Sequence, residues 1–278
     1  MYRLKELDNG FKYIELTNVV SSAKIALQGA HIYEYKRQNQ EDILWLSENS
    51  SFEEGVAIRG GIPICWPRFG VLDKDMPAHG FSRTAIFSVK NVREIDSETT
   101  EVTLVLKDTP QSRKIWNYIF ELEVVFIIGK TLKVTLTTYN RGEKEFMITE
   151  ALHTYFNISD INNISISGLE KVEFIDTLCN EKRREFETIS IDSECDRVYQ
   201  GKSENIELRD TDRTIFIKAE GSNSTVVWNP WIEKGSKMNG MKEEGYKEFV
   251  CIESANAFDD KIFLKEGESY TLSASFKT

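Results

Sequence analysis

The sequence predicts an all-β chain of mostly antiparallel strands. Three observations predict it: apolar residues that alternate with period two, few helical stretches, and turn residues between many short apolar runs. That pattern favours a sandwich or barrel over βαβ units. A chain of 278 residues can bury one large core. It has no low-complexity linker and no internal repeat, so residues 1–278 are read as a single domain.

In chain order, strands are expected at 11–16, 24–27, 32–36 and 87–92. Val102, Leu104 and Leu106 alternate with Thr103, Val105 and Lys107 to give the next. Phe120–Ile128 runs through Gly129-Lys130 into 131–139, which reads as a hairpin. Shorter strands follow at 164–167, 214–218 and 225–228. The apolar run 249–252 reads as a buried strand with Glu253 at its end, and Tyr270, Leu272, Ala274 and Phe276 alternate in the last strand. The only helical candidates are short and broken by glycine, at 233–238 and 243–249.

Charge and cysteine content exclude several classes. Lys plus Arg total 35 against 45 Asp plus Glu, for a net −10. Phosphate backbones and anionic membranes are held by clustered positive charge, so neither nucleic acid nor a membrane surface is expected as a partner. An anionic substrate would need a local basic pocket to overcome that field. The start lacks the apolar segment of a secretory signal, and no stretch is long enough to span a bilayer. Cys65, Cys179, Cys195 and Cys251 are far apart and form no C-x-x-C pair, which suits a reducing, cytoplasmic setting. No obligate protein partner is evident.

Rare residues concentrate in three places. Pro63, Pro67 and Pro77 lie within a window that also holds Gly60, Gly61, Gly70 and Gly80, Arg59, Arg68 and Arg83, and His79. Glycine lets backbone approach a ligand and proline stiffens the path, so this reads as a shaped loop pair. A tight structural turn with solvated arginines is the plain alternative. The second place is A-L-H-T-Y-F around His153, where a histidine among aromatics is either a hydrogen-bonded core residue or a catalyst. The third joins V-V-W-N-P-W to F-V-C-I-E-S. A carboxylate ending a buried strand must be paired, lie in water, or have its pKa raised. Trp66, Trp228 and Trp231 are either core or a face for a sugar ring. His31, His79 and His153 show no metal-ligand spacing, so no metal is expected.

Together, R-G-G-I-P-I-C-W-P-R-F-G, P-A-H-G-F-S-R, A-L-H-T-Y-F, V-V-W-N-P-W-I-E-K and F-V-C-I-E-S resemble the glucose-6-phosphate 1-epimerases of the aldose 1-epimerase (galactose mutarotase-like) superfamily. The resemblance runs from about residue 10 to the C-terminus. It implies a single-domain β-supersandwich that interconverts α and β anomers of a hexose 6-phosphate without cofactor. Carried over by position, His153 matches the catalytic histidine and Glu253 the catalytic glutamate. Arg59 and Arg83 match substrate-holding arginines, His79 a histidine lining the sugar pocket, and Asp176 a sugar-binding aspartate. Ala78 stands where relatives carry glutamine. Arg68 stands where relatives often have an uncharged residue, and it either joins the phosphate site or pairs with a carboxylate.

Anomerisation opens the ring, rotates C1–C2 and recloses on the other face. Glu253 is expected as base on the C1 hydroxyl and His153 as acid at the ring oxygen, on opposite sides of the ring. A free-sugar mutarotase has no need of paired arginines, and a non-catalytic carbohydrate binder has no need of an acid and a base.

Overall fold

The structure, a computed structural model, describes residues 1–71, 76–203 and 205–278. Two eight-stranded antiparallel sheets face each other across one apolar core. The first runs, in spatial order, Ser165–Ser167, Ile206–Arg209, Thr214–Glu220, Ser269–Lys277, Leu132–Asn140, Phe120–Ile128, Thr100–Lys107 and Ser88–Glu94. The second runs Glu181–Arg184, Glu173–Asp176, Cys195–Gln200, Ser224–Asn229, Phe249–Asn256, Glu150–Leu152 and Ile64–Cys65, with Tyr155–Asn157 also paired to Phe249–Asn256. A four-stranded meander, Tyr2–Glu6 to His31–Arg37, and a two-stranded pair, Phe146–Ile148 with Ile262–Leu264, complete the sandwich.

The first sheet follows from period two. In Phe120–Ile128 and Leu132–Asn140 every second residue is buried, and the hairpin closes with Ile128 opposite Leu132. Packed on one face and wet on the other, such a sheet writes its pairing into its sequence.

The second sheet has both faces covered. Val227, Ile252, Leu152 and Phe174 point into the shared core. The opposite face carries Val198, Val226, Trp228, Cys251 and Ala151 in a second cluster with Trp45, Tyr155 and Phe249. All eight residues of Phe249–Asn256 are therefore buried, and the strand reads as a continuous apolar run rather than an alternation. Glu253 lies within this strand, not at its end, so the expectation that it terminates an apolar run is corrected.

Other expectations shift by small amounts. The helix expected at 233–238 is Trp231–Gly235, started two residues earlier where the Asn229 carboxamide accepts the Trp231 N–H at 2.9 Å. The one at 243–249 is a 3₁₀ turn, Gly245–Glu248, since Phe249 already belongs to the next strand. Strands Tyr2–Glu6, Glu173–Asp176, Cys195–Gln200 and Ile206–Arg209 lie outside the sequence expectations. They are short, and Tyr2–Glu6 and Cys195–Gln200 do not alternate cleanly between buried and exposed. All four cysteines are free, and no helix among the described residues is long and apolar enough to cross a membrane.

Candidate active site

A cavity of about 870 Å³ opens over the second cluster of the second sheet, within the range of small-molecule sites. The proline- and glycine-rich window forms one wall. It is a pair of loops around the two-residue strand Ile64–Cys65, held where only glycine fits. At Gly80, with φ +73°, a Cβ would sit 2.0 Å from the Trp66 carbonyl oxygen. At Gly61, with φ +62°, it would sit 2.4 Å from the Ile32 carbonyl oxygen. Gly80→Ala is expected to cost more than the roughly 1–3 kcal/mol of a strained backbone residue, because both torsion and contact are violated. A denaturant midpoint unchanged in Gly80→Ala would contradict this packing.

Strand pairing places the two candidate catalytic groups. Leu152 lies opposite Ser254 and Tyr155 opposite Cys251, so the same register sets His153 opposite Glu253. Directly opposed residues share a face. His153 Nδ1 stands 3.4 Å from Glu253 Oε1, both residues deeply buried, with no hydrogen bond formed between them. The expected placement on opposite sides of a substrate ring is thus corrected to a side-by-side pair. The chemistry tolerates this, since the C1 hydroxyl and the ring oxygen are attached to the same carbon.

Burial pushes Glu253 well above the usual carboxylate range; Asp196 adds to the rise and Arg83 opposes it. Burial pulls His153 well below the ordinary imidazole value, helped by His79, Arg83 and Arg59. Burial thus disfavours the charged form of each, and two groups this close titrate as a pair rather than as individuals. The His153 ring stacks on Tyr155 at 4.9 Å and meets Trp228 edge-on at 5.7 Å, which fixes its plane.

The loop wall supplies cations. Arg59 donates to the Asn239 carbonyl and to the Tyr155 hydroxyl, all at 3.3 Å. Arg83 donates to the Ala78 carbonyl at 2.5 Å, and its buried Nε has no partner. Neither arginine has a carboxylate partner among the described residues. Arg68 also lines the cavity, with Nη1 donating to the carbonyls of Pro67 and Met147. With Lys234 and Lys261, the lining among the described residues carries five cations against Asp196 and Glu253, a local reversal of the chain's negative charge.

His79 lines the cavity at φ +63°, its ring 5.7 Å from that of His153. Its Nδ1 accepts from the Gly70 N–H at 3.4 Å, which leaves the ring proton on Nε2. Burial, with Arg83 and Arg59, pulls it down to about 3, so it is neutral. His31 is elsewhere: fully buried, with Nε2 2.7 Å from the Gly60 carbonyl oxygen. Among the described residues no cluster of three or more His, Cys, Asp or Glu could hold a metal.

Asp176 is not brought to the cavity. Asp176 lies opposite Arg197, and Val198 lies opposite Val226, itself opposite Glu253. Asp176 and Arg197 therefore belong to the other face, and the Asp176 carboxylate pairs with Arg183 at 3.1 Å. The carboxylate on the cavity face is Asp196, opposite Trp228 and 3.8 Å from Lys234. Asp196, Thr177, Lys234 and Tyr155 are lining residues the sequence reading missed. Of the three tryptophans, Trp228 lines the cavity, Trp66 is core, and Trp231 is half-buried against the core.

Comparison with known proteins agrees with this geometry. Residues 12–277 match the family model described as aldose 1-epimerase. The chain is 37% identical over 270 residues to an Escherichia coli protein provisionally named glucose-6-phosphate 1-epimerase, covering 95% of this chain and 88% of that one. A crystal structure from Salmonella typhimurium, provisionally called a mutarotase, superposes with a TM-score of 0.93 at 33% identity, covering 99% of this chain and 92% of that one. A galactose mutarotase-related enzyme of Lactobacillus acidophilus shares the fold, with a TM-score of 0.75 at 16% identity over 95% and 96% of the two chains. Matched by the family model over residues 12–277 and by these relatives over nearly its whole length, this two-layer β-sandwich belongs to the aldose 1-epimerase family, the isomerases of sugar anomers.

Proposed function

We propose that the chain is a hexose-6-phosphate 1-epimerase, acting on glucose 6-phosphate or a similar hexose phosphate. The observation that carries this reading is the pair Arg59 and Arg83, which line the same cavity as Glu253 and His153 and lack carboxylate partners among the described residues. A guanidinium left without a counter-ion in a partly desolvated wall is suited to a phosphate.

In the forward half-reaction, which starts from the form of the pair with Glu253 ionised and the proton on His153, Glu253 removes the proton of the C1 hydroxyl, the C1–O5 bond breaks as C1=O forms, and His153 delivers its proton to O5. Rotation about C1–C2 presents the other face of the aldehyde, and the steps reverse. Glu253 gains one proton as His153 loses one, so no net charge is created in the cavity. Only protons move, so the reaction calls for no redox or group-transfer cofactor. Phosphate bound by Arg59 and Arg83 keeps the open chain in place. Asp196 and the Nε2–H of His79 are placed to hydrogen-bond sugar hydroxyls, and Trp228 offers an apolar face to the ring.

The reading itself is tested by comparing kcat/KM for glucose 6-phosphate and for glucose. A clear preference for the phosphate ester supports it, and equal values favour a free-sugar mutarotase.

A further inference from the structure

On the core face of the second sheet, one cross-strand position below the acid–base pair holds an unusual opposition. Glu150 lies directly opposite Asn256, three residues from His153 on one strand and three from Glu253 on the other. Both side chains are fully buried, and each has an acceptor with no partner: Glu150 Oε1 and Asn256 Oδ1. Buried acceptors are rarely left unsatisfied, and two on one rung call for a donor between them.

Hydrogen-bond direction supplies the answer. Trp66 Nε1–H donates to Thr138 Oγ1 at 2.9 Å, so the Thr138 hydroxyl proton goes on to Glu150 Oε2 at 3.3 Å. On the other side, Asn256 Nδ2 donates to the Gly221 carbonyl at 3.0 Å, to Asp260 Oδ2 at 2.9 Å and to the Tyr270 hydroxyl at 3.3 Å. The Tyr270 proton is committed to the Gly221 carbonyl at 2.6 Å. Asp260 also accepts from the Asn223 backbone and side chain. A flipped Asn256 amide would set its oxygen against three acceptors, so Oδ1 must face away from them. All donors thus point from Trp66 towards Asp260, and the chain is interrupted only between Glu150 and Asn256.

We propose that Glu150 is a positioning residue, held as the neutral acid, whose O–H is donated across the rung to Asn256 Oδ1 and so fixes the strand pairing that sets His153 against Glu253. The proton completes a head-to-tail relay, Trp66 to Thr138 to Glu150 to Asn256 to Asp260, that joins both sheets beneath the site. Burial pushes Glu150 up to about 8; the Thr138 bond opposes the rise and Asp260 adds to it. Among the described residues Thr138 bonds it, Asn256 lies opposite it, and Asp260 and Tyr270 interact with it electrostatically; no cation is among the groups that shift it. Ionisation would oppose two acceptors inside the core and loosen the rung.

This role rests on the reading of His153 and Glu253 as the acid–base pair, but its test has substrate-free readouts. Glu150→Gln supplies the same acceptor to Thr138 and a permanent donor to Asn256. A carboxyl whose folded value lies above its unfolded value stabilises fully below the unfolded value, and that stability is lost as pH rises to the folded value. The thermal midpoint of E150Q should therefore gain on wild type as pH rises from about 4.5 to about 8 and hold that lead above it. A protonated-carboxyl infrared band present in wild type at neutral pH should be missing in E150Q. The kcat of the two proteins should agree within ~2-fold at neutral pH, and the ratio E150Q to wild type should climb towards about tenfold one pH unit above the Glu150 value. Parallel midpoints at every pH, or an unchanged infrared band, would overturn the neutral acid. A kcat ratio flat above pH 8 would overturn positioning, whereas absent anomerase activity in both proteins would sink only the reading of the site.

Discussion

Glu253→Gln and His153→Asn should each lower kcat for anomer exchange by ~10²-fold or more, the scale of losing a general acid or base. Both substitutions keep the side-chain volume in a wall where His153 is stacked on Tyr155 and Glu253 is wholly buried. The fold should persist. Glu253 is destabilised as a carboxylate by burial, so its contribution to stability is lost as pH rises towards its raised value. A carboxamide at this position cannot ionise, and E253Q should unfold at or above the wild-type temperature at alkaline pH. Because the two residues would act as a unit in one ring-opening step, the double substitution should cost little more than the worse single one. Wild-type exchange in either single variant would remove that residue from the chemistry. Additive losses in the double variant would contradict joint action in that step.

Arg59→Ala or Arg83→Ala should weaken binding of glucose 6-phosphate by about 10–150-fold, the equivalent of roughly 1.5–3 kcal/mol for a hydrogen bond to a charged group. The effect should fall on KM more than on kcat, since a phosphate remote from C1 is held equally in ground and transition states. Free glucose should be handled poorly by wild type and be little changed in the variants. Arg68→Ala should differ from both, because Arg68 ties the loop to the Met147 and Pro67 carbonyls. Its loss should lower thermal stability and affect both substrates alike. Equal losses on glucose and glucose 6-phosphate in R59A and R83A would reduce these arginines to loop-shaping residues and favour the free-sugar mutarotase.

The first sheet was legible in the sequence because one of its faces is wet. Strands such as Phe120–Ile128 and Leu132–Asn140 reveal both their period and their pairing through alternation. The second sheet was harder to read for the opposite reason. Phe249–Asn256 is buried on both faces, so nothing in its apolar run indicates that Glu253 lies mid-strand. Asp176 shows the consequence most sharply. A shift of one residue reverses the face, and only the pairing of Glu173–Asp176 with Cys195–Gln200 assigns Asp176 to Arg183 and Asp196 to the cavity. Arg59, Arg83 and His79 were accessible through the company of glycine and proline, which marks a loop pair shaped for close approach. Tyr155 and Lys234 carried no such mark, since an aromatic after a histidine and a lysine on a short helix are common in any chain. The side-by-side geometry of His153 and Glu253 depends on a register 100 residues apart in sequence, which no local pattern encodes.

The proposed site binds a sugar phosphate through Arg59 and Arg83 and exchanges its anomers through Glu253 and His153. Magnetisation-transfer NMR on equilibrated glucose 6-phosphate tests it most directly, since it reads α–β exchange without a coupling enzyme. Wild-type protein should accelerate exchange of glucose 6-phosphate far more than that of glucose, and E253Q at the same concentration should leave the spontaneous rate in place. Exchange of glucose 6-phosphate no faster with wild type than with E253Q would contradict catalysis at this site.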